Sequence, residues 1–309
     1  MNSSYNVQQL ITGGILVLLT TLTACKKDGN PNKLPSVSPK DYEGLVDGFS
    51  SSEEIYPDNL VAYWSFDGTA TELKSGTSPA QTAGNSFFDA GVRGKALKLN
   101  AGYLYYAKQF GAFKKGSLKS FTISEWIQIL NNGTKRTMIF QIARPGIFNG
   151  DLNFRLNTHS FPASNVTDLK INPYFVTVNG TGTQDNINTL RDAPGMASYF
   201  PYVTPQIGAD VWVHLVLTYN GATGYFDIWA NGIKAGAYAS RGTGNNLFTC
   251  HEPNEVIIGG NYNTIPGMAV DANADYAPMT GSIDELRVYN TVLPDAFIKA
   301  LYNLGKVKK

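Results

Sequence analysis

Charge is scarce in this chain. Asp, Glu, Lys and Arg make up 16% of its 309 residues, against about 25% in an average soluble protein. The 25 basic residues nearly cancel the 24 acidic ones. Such a balance leaves no electrostatic footprint for a nucleic acid, which is gripped first through its phosphates. Cysteine is scarcer still: Cys25 and Cys250 are the only two, too few for a disulfide framework. The uncharged, mostly apolar stretch over residues 10–24 is shorter than the roughly 20 residues of a membrane-spanning helix. What is plentiful is aromatic and turn-forming: 17 Tyr, 16 Phe, 31 Gly and 15 Pro, within 43% hydrophobic residues overall. That mixture can bury a sizeable core and favours strands and turns over helices.

Short alternating runs separated by turn residues recur from residue 60 onward. Residues 60–66, 96–99, 121–130, 138–143, 152–156, 174–178, 212–219, 225–230, 256–258 and 282–289 read as strands. Val213, Leu215, Leu217 and Tyr219 share one face, and Trp212, His214, Val216 and Thr218 the other. In the next strand Phe226, Ile228 and Ala230 face the core, while Asp227 and Trp229 face away. Asn231-Gly232 suits a type I′ hairpin, because both residues must take positive φ. One helix is predicted, begun by Pro294, striped by Phe297, Ile298, Leu301 and Tyr302, and stopped by Gly305. The fold class is all-β: a two-sheet antiparallel jelly-roll sandwich with a short C-terminal helix.

Leu22-Thr23-Ala24-Cys25 resembles the lipobox of bacterial lipoproteins. The resemblance implies a signal peptide over residues 1–24, cleavage before Cys25, and a lipid anchor on Cys25. One departure is the lack of Lys or Arg ahead of the apolar run, where secretory signals normally carry positive charge. The alternatives are an ordinary cleaved signal and a buried hairpin. Cys25-Lys26-Lys27-Asp28 is similar to the surface-export signals of Gram-negative polysaccharide degraders, which implies an outer-membrane lipoprotein facing outward. Residues 25–58, with Pro31, Pro35, Pro39 and Pro57, read as the lipidated end and a flexible tether. Residues 59–309 form the domain.

Five ordered segments of that domain resemble the laminin-G-like, concanavalin A-like lectin/glucanase superfamily. They are residues 60–68, 94–99, 121–127 and 212–232, and the Gly281-Ser-Ile-Asp-Glu-Leu-Arg-Val-Tyr289 strand ahead of the closing helix. The resemblance implies a structural Ca²⁺ between the first and last strands, held by Asp67, the carbonyl of Gly94, and Asp284. Since Ca²⁺ takes roughly six to eight oxygens, carbonyls and water would complete the set. The competing reading makes Asp67 a turn cap and pairs Asp284 with Arg287. Asp271-Ala-Asn-Ala-Asp275 has the spacing of a calcium loop but lacks its Gly and its closing Glu, and reads as a polar surface loop.

No catalytic residues are predicted. Glycan-cleaving sites pair two carboxylates about 5–5.5 Å apart when retaining, and no such pair sits on a predicted strand. Asp284 and Glu285 are adjacent and should point to opposite faces. His159, His214 and His251 form no metal-spaced set, and Cys250 reads as a passive small residue. Glu125 shares parity with Phe121, Ile123 and Ile127, so either a bulge turns it outward or it is a buried functional carboxylate.

The leading expectation is carbohydrate binding, which needs exposed rings for the apolar sugar faces and polar side chains for the hydroxyls. Candidate platforms are Tyr199 and Tyr202 in one long loop, Tyr262 and Tyr276 in another, and Trp229 on its outward face. The loop rings have a rival role, packing their loops onto the sheet. Trp64, Trp126 and Trp212 are expected in the core. A protein partner at the cell surface is the second hypothesis, and a hydrolase of the same fold the third.

Overall fold

The computed structural model describes residues 39–179, 182–187, 204–239 and 251–309. Cys25, Tyr199, Tyr202 and Cys250 therefore lie outside the described residues. The chain divides into two compact units, Met1–Glu43 and Gly44–Lys309. The described part of the first holds a 3-10 turn, Pro39–Tyr42.

The second unit carries β1 (Leu60–Trp64), β2 (Gln81–Phe88), β3 (Ala96–Tyr106), β4 (Phe121–Ile129), β5 (Arg136–Arg144), β6 (Ile147–Leu156) and β7 (Tyr174–Asn179). It continues with β8 (Gly182–Ile187), β9 (Gly208–Tyr219), β10 (Tyr225–Ala230), β11 (Ile233–Ala239), β12 (Glu255–Ile258), β13 (Tyr276–Ala277) and β14 (Met279–Tyr289). Helix α1 (Asp295–Lys306) closes the chain. The strands bond in the order β11-β10-β9-β4-β14-β3-β12-β5-β6-β7-β8, with β1 on β14, β2 on β3 and β13 on β5. Of these pairings, that of β13 with β5 is parallel. The path curls back on itself: Phe175 of β7 meets Tyr219 of β9 and Phe226 of β10 at 4.5 and 4.9 Å. The expected antiparallel sandwich is thus two layers of one curled sheet.

Alternation decides what the layers enclose. Val213, Leu215, Leu217 and Tyr219 join Phe226, Ile228 and Ala230 in the main core, with Trp64, Phe121, Phe140 and Phe154. Asn231 and Gly232 take φ of 52° and 75°, as the predicted hairpin requires. The opposite parity is also buried over part of the sheet. Val216, Trp229 and Tyr289 form a second cluster with Leu293, Ile298, Leu301 and Leu304, beneath α1. Gly305 lies inside α1 and does not stop it: a Cβ there would come within 2.4 Å of the Trp126 ring. Its missing side chain lets the helix settle on the sheet.

Residues 44–58, read from sequence as part of the tether, pack on the same cluster. Ile55 is fully buried, with Val46, Phe49 and Tyr56 beside it. A third cluster covers the outer face of β3, β5 and β12, where Tyr103, Tyr105, Ala143 and Ile257 receive Tyr262 and Ile265 from the following loop.

Candidate functional site

The outer face that α1 leaves uncovered forms a groove. In register, Lys98 of β3 opposes Ser282 of β14, and Ser282 opposes Gln128 of β4. Opposed residues share a face, and their strand neighbours Leu97, Leu99, Ile283, Ile127 and Ile129 all point into the core. Lys98, Ser282 and Gln128 therefore form a polar row across the floor. The groove encloses about 890 Å³, within the range of ligand sites.

Its walls come from loops that the sequence shapes locally. Asn132 Oδ1 accepts the N–H groups of Thr134 (2.9 Å) and Lys135 (2.7 Å), the side-chain turn that Asn favours. Next to it, Asn131 donates Nδ2 to the carbonyls of Asn165 (2.9 Å) and Asp168 (2.7 Å). Two acceptors on one nitrogen fix which way the amide points. Asn131 Oδ1 is buried without a partner, in a residue that lines the groove.

At the other end Phe88 lines the groove. Trp212 lies parallel to it, with 2° between planes and 6.4 Å between centroids. The indole Nε1 donates to the carbonyl of Ala90 (3.2 Å), another lining residue. Both rings are half-buried. The aromatic rim therefore belongs to Trp212, which the sequence placed in the core, and to Phe88, whose strand the sequence missed. Trp212 had a legible signal: it shares parity with His214, on the face opposite the apolar residues of β9.

The predicted platforms are elsewhere or are buried. Trp229 is 5% exposed under α1. Tyr262 is 3% exposed and donates to Glu255, packing its loop onto the sheet. Tyr276 is 7% exposed and takes a bond from Arg155 (3.2 Å). None of these three presents an open ring face, because the covering helix or loop already occupies it.

Asp67, Gly94 and Asp284 are brought to one turn, residues 91–95. Asp284 Oδ2 accepts the N–H groups of Val92 (2.7 Å) and Arg93 (3.1 Å). Asp67 Oδ1 accepts that of Lys95 (2.7 Å). Gly94 has φ +66°, and a Cβ on it would fall 2.0 Å from Asp67 Oδ1, so only glycine fits. Burial, and then the neighbouring Glu285, push the Asp284 carboxyl up to about 8 against the pull of its backbone bonds. Among the described residues Asp284 has no ion pair, since Arg287 pairs with Glu285 instead. A buried carboxylate beside a like charge suits a bound cation. Among the described residues, however, no group of three His, Cys, Asp or Glu gathers as metal ligands.

Adjacent Asp284 and Glu285 do not simply alternate. A bulge between Asp284 and Arg287, with Glu285 at φ +53°, brings both beside Arg93: its backbone N–H on Asp284, its side chain 3.7 Å from Glu285. Both carboxylates are buried. The bulge expected for Glu125 is therefore on the facing strand. Glu125 stays in register with Leu215, is fully buried, and keeps both oxygens unpartnered; burial pushes it up to about 8. His214 Nε2 meets Ser124 Oγ at 2.8 Å. Burial, aided by Arg287, pushes His214 down to about 3, so the ring is neutral at ordinary pH and closed off from substrate.

The family described as the concanavalin A-like lectin/glucanases superfamily matches residues 106–299. No curated protein matches the chain in sequence. Among solved structures, the binding domain of Paraclostridial Mosquitocidal Protein 1 is 16% identical with a TM-score of 0.51, over 80% of this chain and 52% of that one. The botulinum neurotoxin type G receptor binding domain is 11% identical with a TM-score of 0.49, over 79% and 51%. Domain 4 of AbnA, a GH43 extracellular arabinanase from Geobacillus stearothermophilus, solved with arabinotriose, is 17% identical with a TM-score of 0.46, over 79% and 98%. The chain spans about half the length of the first two of these structures. At such identities the likeness concerns fold alone. With the family match extending over most of the curled sheet and the start of the closing helix, the chain belongs to the concanavalin A-like lectin/glucanases superfamily.

Proposed function

We propose that this domain binds a glycan in the groove without cleaving it, as part of a lipoprotein held at the outer membrane, facing outward, by acylated Cys25. The observation that carries the reading is a polar floor of Lys98, Ser282 and Gln128 ending at the Phe88–Trp212 pair. Rings take the apolar face of a sugar, and amide and hydroxyl groups take its edges. Asp210 is the one carboxylate among the described lining residues. Hydrolysis by the usual route needs two, which favours binding over catalysis.

The test is a glycan array with the full chain and a Phe88→Ala variant. The reading expects a hit that weakens about tenfold in the variant while the melting curve holds. Hits that bind both proteins alike would retire the groove.

Two further parts of the reading stand on sequence and local geometry. Cys25→Ser should release the chain from the membrane fraction, because two acyl chains supply the anchoring for which the apolar run over residues 10–24 is too short. A variant still retained after an alkaline wash contradicts the anchor. A Ca²⁺ held by Asp67, Asp284 and the carbonyl of Gly94 would tie the first strand to the last. It would stabilise only the folded state, so EDTA should lower the melting temperature and millimolar Ca²⁺ restore it. Identical melting curves in both would remove the metal.

A further inference from the structure

Charge is not spread evenly over the groove. Its described lining is neutral except for Lys98, Lys135 and Asp210. The ammonium of Lys135 is already engaged by the carbonyl of Ala274, in the loop ahead of β13. The Lys98 ammonium has no ion pair or hydrogen bond among the described residues; the side chain is exposed and stands on β3 in the floor itself. Its register neighbours across the sheet are Ser86 on one side and Ser282 on the other. Neither can neutralise an ammonium. Three strands carry the row from Lys98 to Gln128, a span of roughly 10 Å at ordinary strand spacing.

An unpaired cation in a neutral polar floor is strongly hydrated and gains most from a ligand that brings its own anion. Resting on the glycan reading of this groove, we infer that the ligand is an acidic glycan, with a ring carboxylate or sulfate ester placed over Lys98. Neutral groups on either side would read hydroxyls of the same chain. The single negative group supplies what the floor lacks. The other charged lining residue, Asp210, sits at the start of β9 beside the Gln128 end of the row, three strands from Lys98 on β3, and would disfavour polymers charged on every face.

The experiment is affinity electrophoresis of the full chain, Lys98→Gln and Phe88→Ala. The matrices are polygalacturonate, carboxyl-reduced polygalacturonate, dextran sulfate and dextran. Lys98 is exposed, so Lys98→Gln should melt like the parent. The expected result is retardation by at least one acidic polymer, about tenfold weaker on its uncharged counterpart. Lys98→Gln should abolish that difference. The carboxylate and sulfate pairs distinguish the two sources of the anion.

If the parent binds acidic and uncharged partners alike, and Phe88→Ala loses both, the groove binds glycan and the acidic preference is overturned. That preference is equally overturned if Lys98→Gln behaves as the parent does. Acidic binding that Phe88→Ala leaves untouched overturns the groove reading along with this one. Failure of all four polymers, with a groove-dependent hit on the array, overturns only the acidic class.

Discussion

Strand β4 presents one face to two different environments. Gln128 lies in the floor of the groove; two residues earlier, Trp126 stacks on Tyr302 of α1 at 5.7 Å. Two residues before that, Ser124 is sealed against His214. Strand β9 repeats the change, from half-exposed Trp212 to buried His214 and Val216. Parity is the same along each strand, so alternation cannot explain the difference. Coverage does: α1 and residues 44–58 lie over one end of the face and leave the other open. A polar row is tolerated at the open end because water satisfies it. The closed end must be apolar or internally bonded.

The sharpest way to break the closed end is Trp229→Ala. Losing a buried indole there should cost about 3–5 kcal/mol and lower the denaturation midpoint steeply. Any glycan binding by the groove should be unchanged per folded molecule, since Trp229 is not among the groove residues. A proportional loss of intrinsic affinity would mean that the two ends are coupled.

Glu125 shows what an unpartnered polar group does inside the sheet. Its acid form is held from the ordinary value of 4.5 up to about 8 by burial. The folded chain then keeps a proton that the unfolded chain releases, so stability falls as pH rises from about 4.5 to about 8. The slope reaches at most about 1.4 kcal/mol per pH unit and flattens above. Glu125→Gln should lack this contribution, and denaturation of both proteins at a series of pH values measures the difference. Parallel curves would contradict the burial. Asp284 contributes a slope of the same sign to both proteins, so only the difference is diagnostic.

The open end should respond in the opposite sense. Trp212→Ala removes a half-exposed ring and one indole hydrogen bond, costing about 1 kcal/mol of stability. Its larger effect should be on affinity for whichever glycan binds, read by calorimetry. A large drop in melting temperature with unchanged affinity would return Trp212 to a structural role.

Much of the sheet was legible. Residues 225–230 and the Asn231-Gly232 turn are as the alternation and the turn chemistry predicted. Most other strands differ at their ends, by up to seven residues for β3. Strand β2 was not legible: Gln81–Phe88 has no fully buried residue, and its two phenylalanines are adjacent and so fall on opposite faces, so no apolar period marks it. Missing β2 meant missing Phe88. The loop tyrosines misled for a related reason. Tyr262 sits in a segment without strand character that nevertheless covers the outer face of β3, β5 and β12, and Tyr276 falls in the two-residue strand β13, too short to show a period.

By itself the sequence determined the strands with a strong period of two, the face each side chain occupies, and the hairpin that needs positive φ. These are local properties, set by the pleat and by backbone sterics. Tertiary structure decided which outward faces became core and which became a site. Whether Trp229 or Trp212 is exposed depends on where α1 lands, and that depends on Gly305 admitting the Trp126 ring. Insertion of the late strand β14 between β3 and β4 aligned Lys98, Ser282 and Gln128. No local pattern encodes that register, because it is settled by the packing of the whole core.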